Sequence, residues 1–540
     1  MESRLAPGAC LRRKGLCSFL VWAPDVATVE LRILSPRSRL VRLHRGATGY
    51  HYGVIDGIEP GTLYLYRLDG LIERPDPASQ FQPRGPRGPS CIIDPRFAWK
   101  DRPWRGLPLS ETILHAGSDR TVAFDDLIAG LSQLRDLGAT AFSVKLDAPP
   151  PDGPSGLPGS VPASLGGPAG LKRLVNACHR KGLAVLLRIA LFEPGIEGDP
   201  FASFGPYFTG PDRRINLDGP HSDEVRRYFV ESALRWFREF HVDTLDVGNI
   251  DALIDLSPTP LLEEMSRAVL REAGRVARPL HLVARSDRND PRLIRRREDG
   301  GIGLDALWNQ DFGLALQGVL SRERMPRPSE YGKLEHLQKA FLEGFVSSGG
   351  FSASRQKRHG RSSRNLPGDR FLVSLPLPAR PGQRTGEALE ELKLAGAALF
   401  FSPFVPQLCF GGPGTARADD AHGVDGLHRE LARLRKELRS AGLLDKQCMG
   451  VLGYEKEKVL LVRHWRDDED LIVLFHFGRR PATLSLPVPS GAWSLRFDSA
   501  EPRWNGPGSL LPRLIQGDGG DLPFSLAALS CAVYRRQHGA

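Results

Sequence analysis

Over residues 1–100 the chain alternates short apolar and β-branched runs with turns rich in Pro, Gly and Asp. FLVWAP (19–24) and ATVELRIL (27–34) are examples, and each has the length and composition of a strand. About one hundred residues with this pattern predict an immunoglobulin-like β-sandwich over 1–100.

Over residues 101–415 apolar runs alternate with helical stretches. In the stretch 222–240, Val225, Phe229 and Phe240 follow the 3.6-residue period of a helix, and Ser222 is the predicted N-cap. Strands that alternate with helices in this way predict a central (β/α)8 TIM barrel. The candidate strands are GATAFSV (138–144), LAVLLRI (183–189), VDTLDV (242–247), HLVAR (281–285) and FLVSL (371–375).

Residues 416–540 begin with a helical connector and return to strand-like runs. KVLLVRHW (458–465), DLIVLFHF (470–477) and WSLRFDS (493–499) each have strand length and many β-branched or aromatic residues. This stretch predicts a small C-terminal all-β domain. The expected fold is therefore multidomain, with a sandwich, a barrel and a second β domain in that order.

The chain is basic, with 73 Lys and Arg against 63 Asp and Glu and a net charge of +10. A basic balance is compatible with a nucleic-acid partner. The arginines are nevertheless spread along the chain, and only RQKRHGRSSR (355–364) forms a dense run. Nucleic-acid binding is therefore not the favoured interpretation.

The seven cysteines are scattered and form no CxxC pair, which favours reduced thiols in the cytoplasm. No apolar run reaches about 18 residues and the N-terminus lacks a signal-peptide pattern, so no membrane association is expected. No phosphate-binding loop or metal-ligand cluster is apparent, so neither a cofactor nor a metal is expected.

Several strings resemble maltooligosyltrehalose trehalohydrolases, which belong to the α-amylase superfamily (glycoside hydrolase family 13). They are RPDPASQFQPRGPRGPS (74–90), FGPYFTGPDRRINLDGPHSDEVRRYF (204–229) and SDRNDPRLIRRREDGGIGLDALWNQDF (286–312). The resemblance covers nearly the whole chain and agrees with the predicted domain order. It implies trehalose and α-glucan metabolism and a sandwich like a carbohydrate-binding module. It also implies a retaining mechanism that needs two carboxylates about 5–5.5 Å apart.

The nucleophile segment of the family, roughly VDGLRLDAVHAI, corresponds here to VDTLDVGNIDAL (242–253). Gly248 therefore stands where the resemblance places the nucleophilic Asp. Asp246 replaces the framing Arg, and Asp251 replaces the His. By the period of a strand, Asp246 shares the face of Gly248 about 6–7 Å lower, too far to substitute in place.

The acid/base segment AESDxNDPRL corresponds to ARSDRNDPRL, so Arg285 stands at the proton donor. An arginine stays protonated at any usable pH and cannot deliver a proton. The third family acid corresponds to Ala379, and the first Asp of the DVVYNH segment corresponds to Arg188. The sequence therefore predicts that no catalytic acid of the family is intact.

These replacements favour a pseudoenzyme that binds α-glucan or maltooligosyl-trehalose, or that scaffolds or regulates an active enzyme of the trehalose pathway. One alternative is an altered α-glucan hydrolase or transglycosidase with relocated carboxylates such as Asp246 and Glu193. The other is an interaction protein with no sugar ligand. Trp308, Asn309 and Asp311 are the candidate glycan contacts, with barrel packing as the competing interpretation. We also expect Arg188 and Arg285 to pair with new acids at the mouth.

Overall fold

The computed structural model describes residues 7–537 apart from 14, 36, 86, 117–121, 147–159, 193–199, 321–327, 376–385 and 409–417. The N-terminal region forms two facing antiparallel sheets. Their strands are β1 (Gly8–Arg13), β2 (Gly15–Trp22), β3 (Val29–Ile33), β4 (Arg39–Arg42), β5 (His44–Arg45), β6 (Tyr50–Ile58), β7 (Leu63–Leu68), β8 (Ile72–Arg74) and β9 (Ser90–Cys91).

One sheet has the order β1-β2-β6-β5 and the other β4-β3-β7-β8, with β9 also paired to β7. Side chains at alternating strand positions fill the space between the sheets. The rings of Phe19 and Tyr64, for example, pack there with their centroids 5.2 Å apart. Trp22 is buried and its ring lies edge-on at 5.2 Å from Tyr207 of the barrel region. The predicted β-sandwich is therefore confirmed.

The central region contains a closed barrel of eight parallel strands, ordered β10-β11-β12-β15-β16-β17-β20-β21. These strands are β10 (Leu114–Ala116), β11 (Ala141–Lys145), β12 (Ala184–Ile189), β15 (Thr244–Val247), β16 (His281–Arg285), β17 (Ala306–Trp308), β20 (Phe371–Ser374) and β21 (Val405–Leu408). Two hairpins lie outside the barrel, β13 (Phe208–Thr209) with β14 (Arg214–Ile215), and β18 (Ser348–Ser352) with β19 (Lys357–Gly360). The predicted TIM barrel is confirmed, whereas the exact domain boundaries stay predictions.

The helices of this region are α1 (Phe124–Asp136), α2 (Gly167–Arg180), α3 (Ser222–Phe240), α4 (Leu261–Val276), α5 (Gln310–Leu320), α6 (Pro328–Tyr331), α7 (Leu334–Glu343) and α8 (Gly386–Phe400). Helix α3 buries the apolar face that its periodicity predicts, including Val225 and Phe240. The predicted N-cap is wrong by one residue. His221 caps the helix in the left-handed region, with φ 63°, and Ser222 is the first helical residue.

The C-terminal region begins with α9 (Ala418–Ser440) and continues as a β domain. Its strands are β22 (Met449–Tyr454), β23 (Val459–Arg466), β24 (Glu469–His476), β25 (Ala482–Pro487), β26 (Gly491–Asp498), β27 (Leu514–Gly517), β28 (Asp521–Leu526) and β29 (Ser530–Arg536). A six-stranded sheet, β22-β23-β24-β29-β26-β27, packs on the two-stranded antiparallel sheet β25–β28 through an apolar core. The predicted C-terminal β domain is confirmed. Among the helices that the structure describes, none has the length and apolar content of a membrane span.

A buried charge network closes the amino-terminal end of the barrel. His179 of α2 lies between two carboxylates, with Nδ1 3.0 Å from Asp101 Oδ2 and Nε2 2.9 Å from Asp243 Oδ2. Trp104 stacks on the His179 ring at 5.0 Å and donates its indole N–H to Asp243 Oδ1 at 2.7 Å. Because both ring nitrogens face carboxylates, His179 satisfies both contacts only as an imidazolium.

Candidate active site

The carboxyl ends of five neighbouring barrel strands bring the candidate residues together. Lys145, Arg188 and Asp246 lie side by side in register on β11, β12 and β15, and Arg285 is paired with Trp308 across β16 and β17. The strand period points these residues toward the barrel axis, in line with the apolar interior residues below them. This end of a TIM barrel is where active sites are built.

Asp246 is the centre of this cluster. Its side chain is 0% exposed, whereas Arg188 and Arg285 keep 27% and 26% of their side chains exposed. Arg285 directs Nε and NH2 to Asp246 Oδ2 at 3.1 and 3.0 Å, and Arg188 Nε lies 3.3 Å from the same oxygen. Both predicted pairings of the mouth arginines with a new acid are therefore confirmed, and one carboxylate serves them both.

Arg285 is also held from below by Trp308. Its guanidinium carbon lies 4.0 Å from the centroid of the indole, which is a close cation–π contact. The indole itself is only 3% exposed. The Arg285 side chain is therefore fixed by an ion pair on one side and an aromatic face on the other.

Gly248 follows β15 at the adjacent strand end, and its N–H donates to Ile189 O at 3.2 Å. A Cβ built on Gly248 would meet only that carbonyl oxygen, at 3.8 Å, which is ordinary contact. Its φ lies outside the left-handed region, so the backbone does not demand glycine there. The missing side chain is a chemical change at this position and not a requirement of the fold.

The neighbouring carboxylates are bound within the rim. Asp251 accepts hydrogen bonds from Ser286 Oγ at 2.6 Å and from the Asp287 backbone N–H at 2.7 Å, and Arg288 Nε lies 3.3 Å from it. Asp287 in turn pairs with Arg355 at 2.9 Å. Part of the basic run 355–364 is therefore structural, a role that the sequence could not indicate because the partner lies 68 residues away.

The three candidate glycan contacts are all buried. Asn309 donates to Gly344 O at 2.7 Å. Asp311 accepts from Asn289 Nδ2 at 2.8 Å and from Tyr331 Oη at 2.7 Å. These bonds are typical of packing, although glycan contact through Trp308, Asn309 and Asp311 stays a prediction.

Two further predicted positions, Glu193 and Ala379, lie outside the described residues. The convergence of Ala379 with Gly248 and Arg285 therefore stays a prediction. In the part of the chain that the structure describes, no group of three or more His, Cys, Asp or Glu side chains has the arrangement of a metal site.

Comparison with solved structures gives the fold. A putative α-amylase from Salmonella typhimurium superposes with a TM-score of 0.80 at 23% identity, covering 98% of this chain and all of the other. A pullulanase from Anoxybacillus sp. LM18-11, solved with maltotetraose, superposes with a TM-score of 0.70 at 14% identity, covering 98% of this chain and 87% of the other. Residues 455–514 match a family described as a domain of unknown function (DUF3459).

Curated relatives give the family. A maltooligosyltrehalose trehalohydrolase of Saccharolobus solfataricus is 34% identical over 73% of this chain and 72% of its own length. That of Arthrobacter ramosus is 34% identical with the same coverage, and that of Mycobacterium tuberculosis is 33% identical. Because these relatives match most of both chains, the chain belongs to the maltooligosyltrehalose trehalohydrolase family.

Proposed function

We propose that the chain is a trehalohydrolase homologue that binds α-glucan without hydrolysing it. One observation carries the proposal: at adjacent strand ends, the nucleophile position is Gly248 and the acid/base position is an Arg285 that is ion-paired to Asp246. Retaining hydrolysis needs two carboxylates at that spacing, one to attack and one to transfer a proton. Binding energy alone does not replace a nucleophile and a proton donor.

The alternative of relocated carboxylates receives little support from the described residues. Asp246 is wholly buried and its Oδ2 faces two guanidinium groups, so it is poorly placed to attack a sugar. Asp251 is bound by Ser286 and Arg288, and Asp287 by Arg355. Asp246 acting with Glu193 would be the remaining pair of this kind.

Glycan as the ligand is supported by the relatives. Those with the higher identities are named trehalohydrolases, and several structures of the same fold were solved with maltotriose, maltotetraose or maltohexaose. Roles as a scaffold or regulator of an active trehalose-pathway enzyme, or as an interaction protein without a sugar ligand, are the competing proposals. A binding measurement with maltooligosaccharides separates the first proposal from the last.

We expect the purified protein to release no trehalose from maltooligosyl-trehalose between about pH 4 and 8, because it lacks a proton donor and a nucleophile. In well-studied triads, binding and positioning alone accelerate the reaction by about 10³–10⁴ over the rate in water. For a glycoside, that acceleration still leaves the bond effectively unhydrolysed. The measurement is trehalose release over several days, with the Arthrobacter ramosus enzyme as the positive control. Turnover that disappears in Asp246→Asn or Glu193→Gln would establish the relocated-carboxylate alternative instead.

Restoring single acids is expected to leave the protein inactive. Gly248→Asp has space for its side chain but no acid partner. Arg285→Glu removes a cation that pairs with Asp246 and sets two carboxylates close together. A reactive group without its supporting residues is misplaced. The double variant Gly248→Asp with Arg285→Glu should therefore yield at most a trace of activity. Both single variants are first checked for folding by circular dichroism. Turnover by Arg285→Glu alone at a rate close to that of the Arthrobacter enzyme would contradict the proposal.

A further inference from the structure

An apolar strip lies on one face of the six-stranded sheet of the C-terminal domain. It is formed by Trp465 of β23 together with Gly450 and Leu452 of β22, the edge strand of the six-stranded sheet. Trp465 is 38% exposed and Leu452 is 46% exposed. Both side chains are therefore accessible to a ligand.

Gly450 allows the indole of Trp465 to lie down along the sheet. A Cβ built on Gly450 would come within 3.4 Å of Cζ3 and 3.8 Å of Cη2 of the indole. The six-membered ring therefore rests on the backbone of the edge strand. An alanine Cβ would be in ordinary contact with the ring, whereas the further methyl groups of a branched residue such as valine would displace it.

A fixed ion pair borders the indole. Arg463 donates through Nε and NH2 to the two carboxylate oxygens of Asp470, at 2.9 and 2.6 Å. Its guanidinium carbon lies 5.4 Å from the centroid of Trp465, and Asp470 is the direct cross-strand neighbour of Trp465. Arg463 keeps 39% of its side chain exposed. Within the described part of the chain, the Trp465 indole N–H makes no hydrogen bond.

We propose that Trp465, Gly450 and the Arg463–Asp470 pair form a surface binding site for an α-glucan chain. This inference rests on the proposed function, since it takes its ligand class from that proposal. A pyranose ring has one apolar face and a belt of hydroxyls, so it fits a flat indole with polar groups at its border. The indole N–H and the exposed part of Arg463 supply donors for the hydroxyls. The site would hold the glucan independently of the barrel mouth.

The test is ¹⁹F NMR of the full chain labelled with 5-fluorotryptophan, which gives one resonance for each of the 8 tryptophans. The Trp465 and Trp308 resonances are assigned with Trp465→Phe and Trp308→Phe, and maltoheptaose is titrated to about 10 mM. We expect the Trp465 resonance to shift with maltoheptaose and not with the β-linked cellohexaose.

The matched variants are read by calorimetric titration with maltoheptaose. Trp465→Ala and Gly450→Val should bind at least about tenfold more weakly, as expected for loss or displacement of a central aromatic contact. Leu514→Ala, a 63% exposed residue on β27 at the opposite edge of the same sheet, should bind like the parent.

The remaining outcomes overturn the inference in distinguishable ways. A shift of Trp308 without a shift of Trp465 would locate the glucan at the mouth, which supports the proposed function and rejects the surface site. No shift at any tryptophan would reject both. A Trp465 shift on dilution without sugar would identify a second copy of the chain as the occupant of the strip.

Discussion

Asp246→Asn is expected to lower the free energy of unfolding of the barrel by about 3 kcal/mol. The substitution keeps the shape of the side chain and removes the one negative charge that faces both Arg188 and Arg285. Breaking a buried ion pair by neutralising one partner costs about 3–5 kcal/mol, because the other charge is left uncompensated. The lower end applies because each arginine side chain keeps about a quarter of its surface in water. Calorimetric unfolding of parent and variant gives the measurement.

Asp251→Asn is the matched control at the same rim. Its ionic partner Arg288 is 55% exposed, so the loss should be about 1 kcal/mol or less. A triple variant removes all three charges: Arg188→Met, Asp246→Leu and Arg285→Met. It should be more stable than Asp246→Asn, because apolar replacement of a whole buried ion pair is often neutral. An Asp246→Asn protein as stable as the parent would refute the account of the mouth as a compensated charge cluster.

The sequence sufficed for the architecture and for the pairing of charges at the mouth. Strand periodicity placed Asp246 on the face of Gly248, and mutual neutralisation predicted that Arg188 and Arg285 would pair with new acids. It could not predict that a single oxygen of Asp246 would serve both arginines. That arrangement depends on the register between the barrel strands. Arg188 lies directly opposite Asp246 on β12, whereas Arg285 lies two residues beyond the partner of Asp246 on β16.

Other features were beyond sequence reasoning because their partners are distant in the chain. His179 binds Asp101 across 78 residues and Asp243 across 64, so no local pattern indicates either contact. Ser222 looked like an N-cap, but the chain enters α3 with His221 in the left-handed region, which moves the cap by one residue. Local pattern predicts an element, whereas tertiary contacts determine its ends.

Three charged residues at the mouth have the opposite sign from the residues that the resemblance places there. Where the resemblance places Asp, Arg and Glu, this chain has Arg188, Asp246 and Arg285, and the three remain close enough to pair. Exchange of all three signs conserves mutual neutralisation, which a single substitution would have broken. Of the two positions where the resemblance places the reacting carboxylates, only that of Arg285 belongs to this network, and the other is Gly248.

The largest pH-dependent effect is expected at the amino-terminal end of the barrel, where His179 lies between Asp101 and Asp243. Burial alone would lower the pKa of His179, but the two carboxylates outweigh it and hold that pKa above its ordinary value. Burial alone would raise the pKa of Asp243 and of Asp101, but the histidine contacts hold both pKa values below the ordinary range. The stabilisation from His179 is therefore complete below about pH 6.5 and is lost as the pH rises through its folded pKa. That from the carboxylates is complete above about pH 3.9 and is lost as the pH falls.

His179→Gln should consequently lower the free energy of unfolding by about 3 kcal/mol near pH 6, because two buried carboxylates lose the cation between them. The difference between variant and parent should shrink at alkaline pH, where the parent's His179 has lost its proton. His115→Gln is the control: burial lowers the pKa of His115 to about 4, so that ring is neutral across this range and its replacement should leave the alkaline slope unchanged. Burial alone would lower the pKa of His281, but Asp305 outweighs it and holds that pKa above its ordinary value. His281 therefore keeps part of the dependence of stability on pH in both variants. The measurement is the unfolding midpoint of each protein from pH 5 to 9. A constant difference between His179→Gln and the parent over that range would contradict the imidazolium assignment.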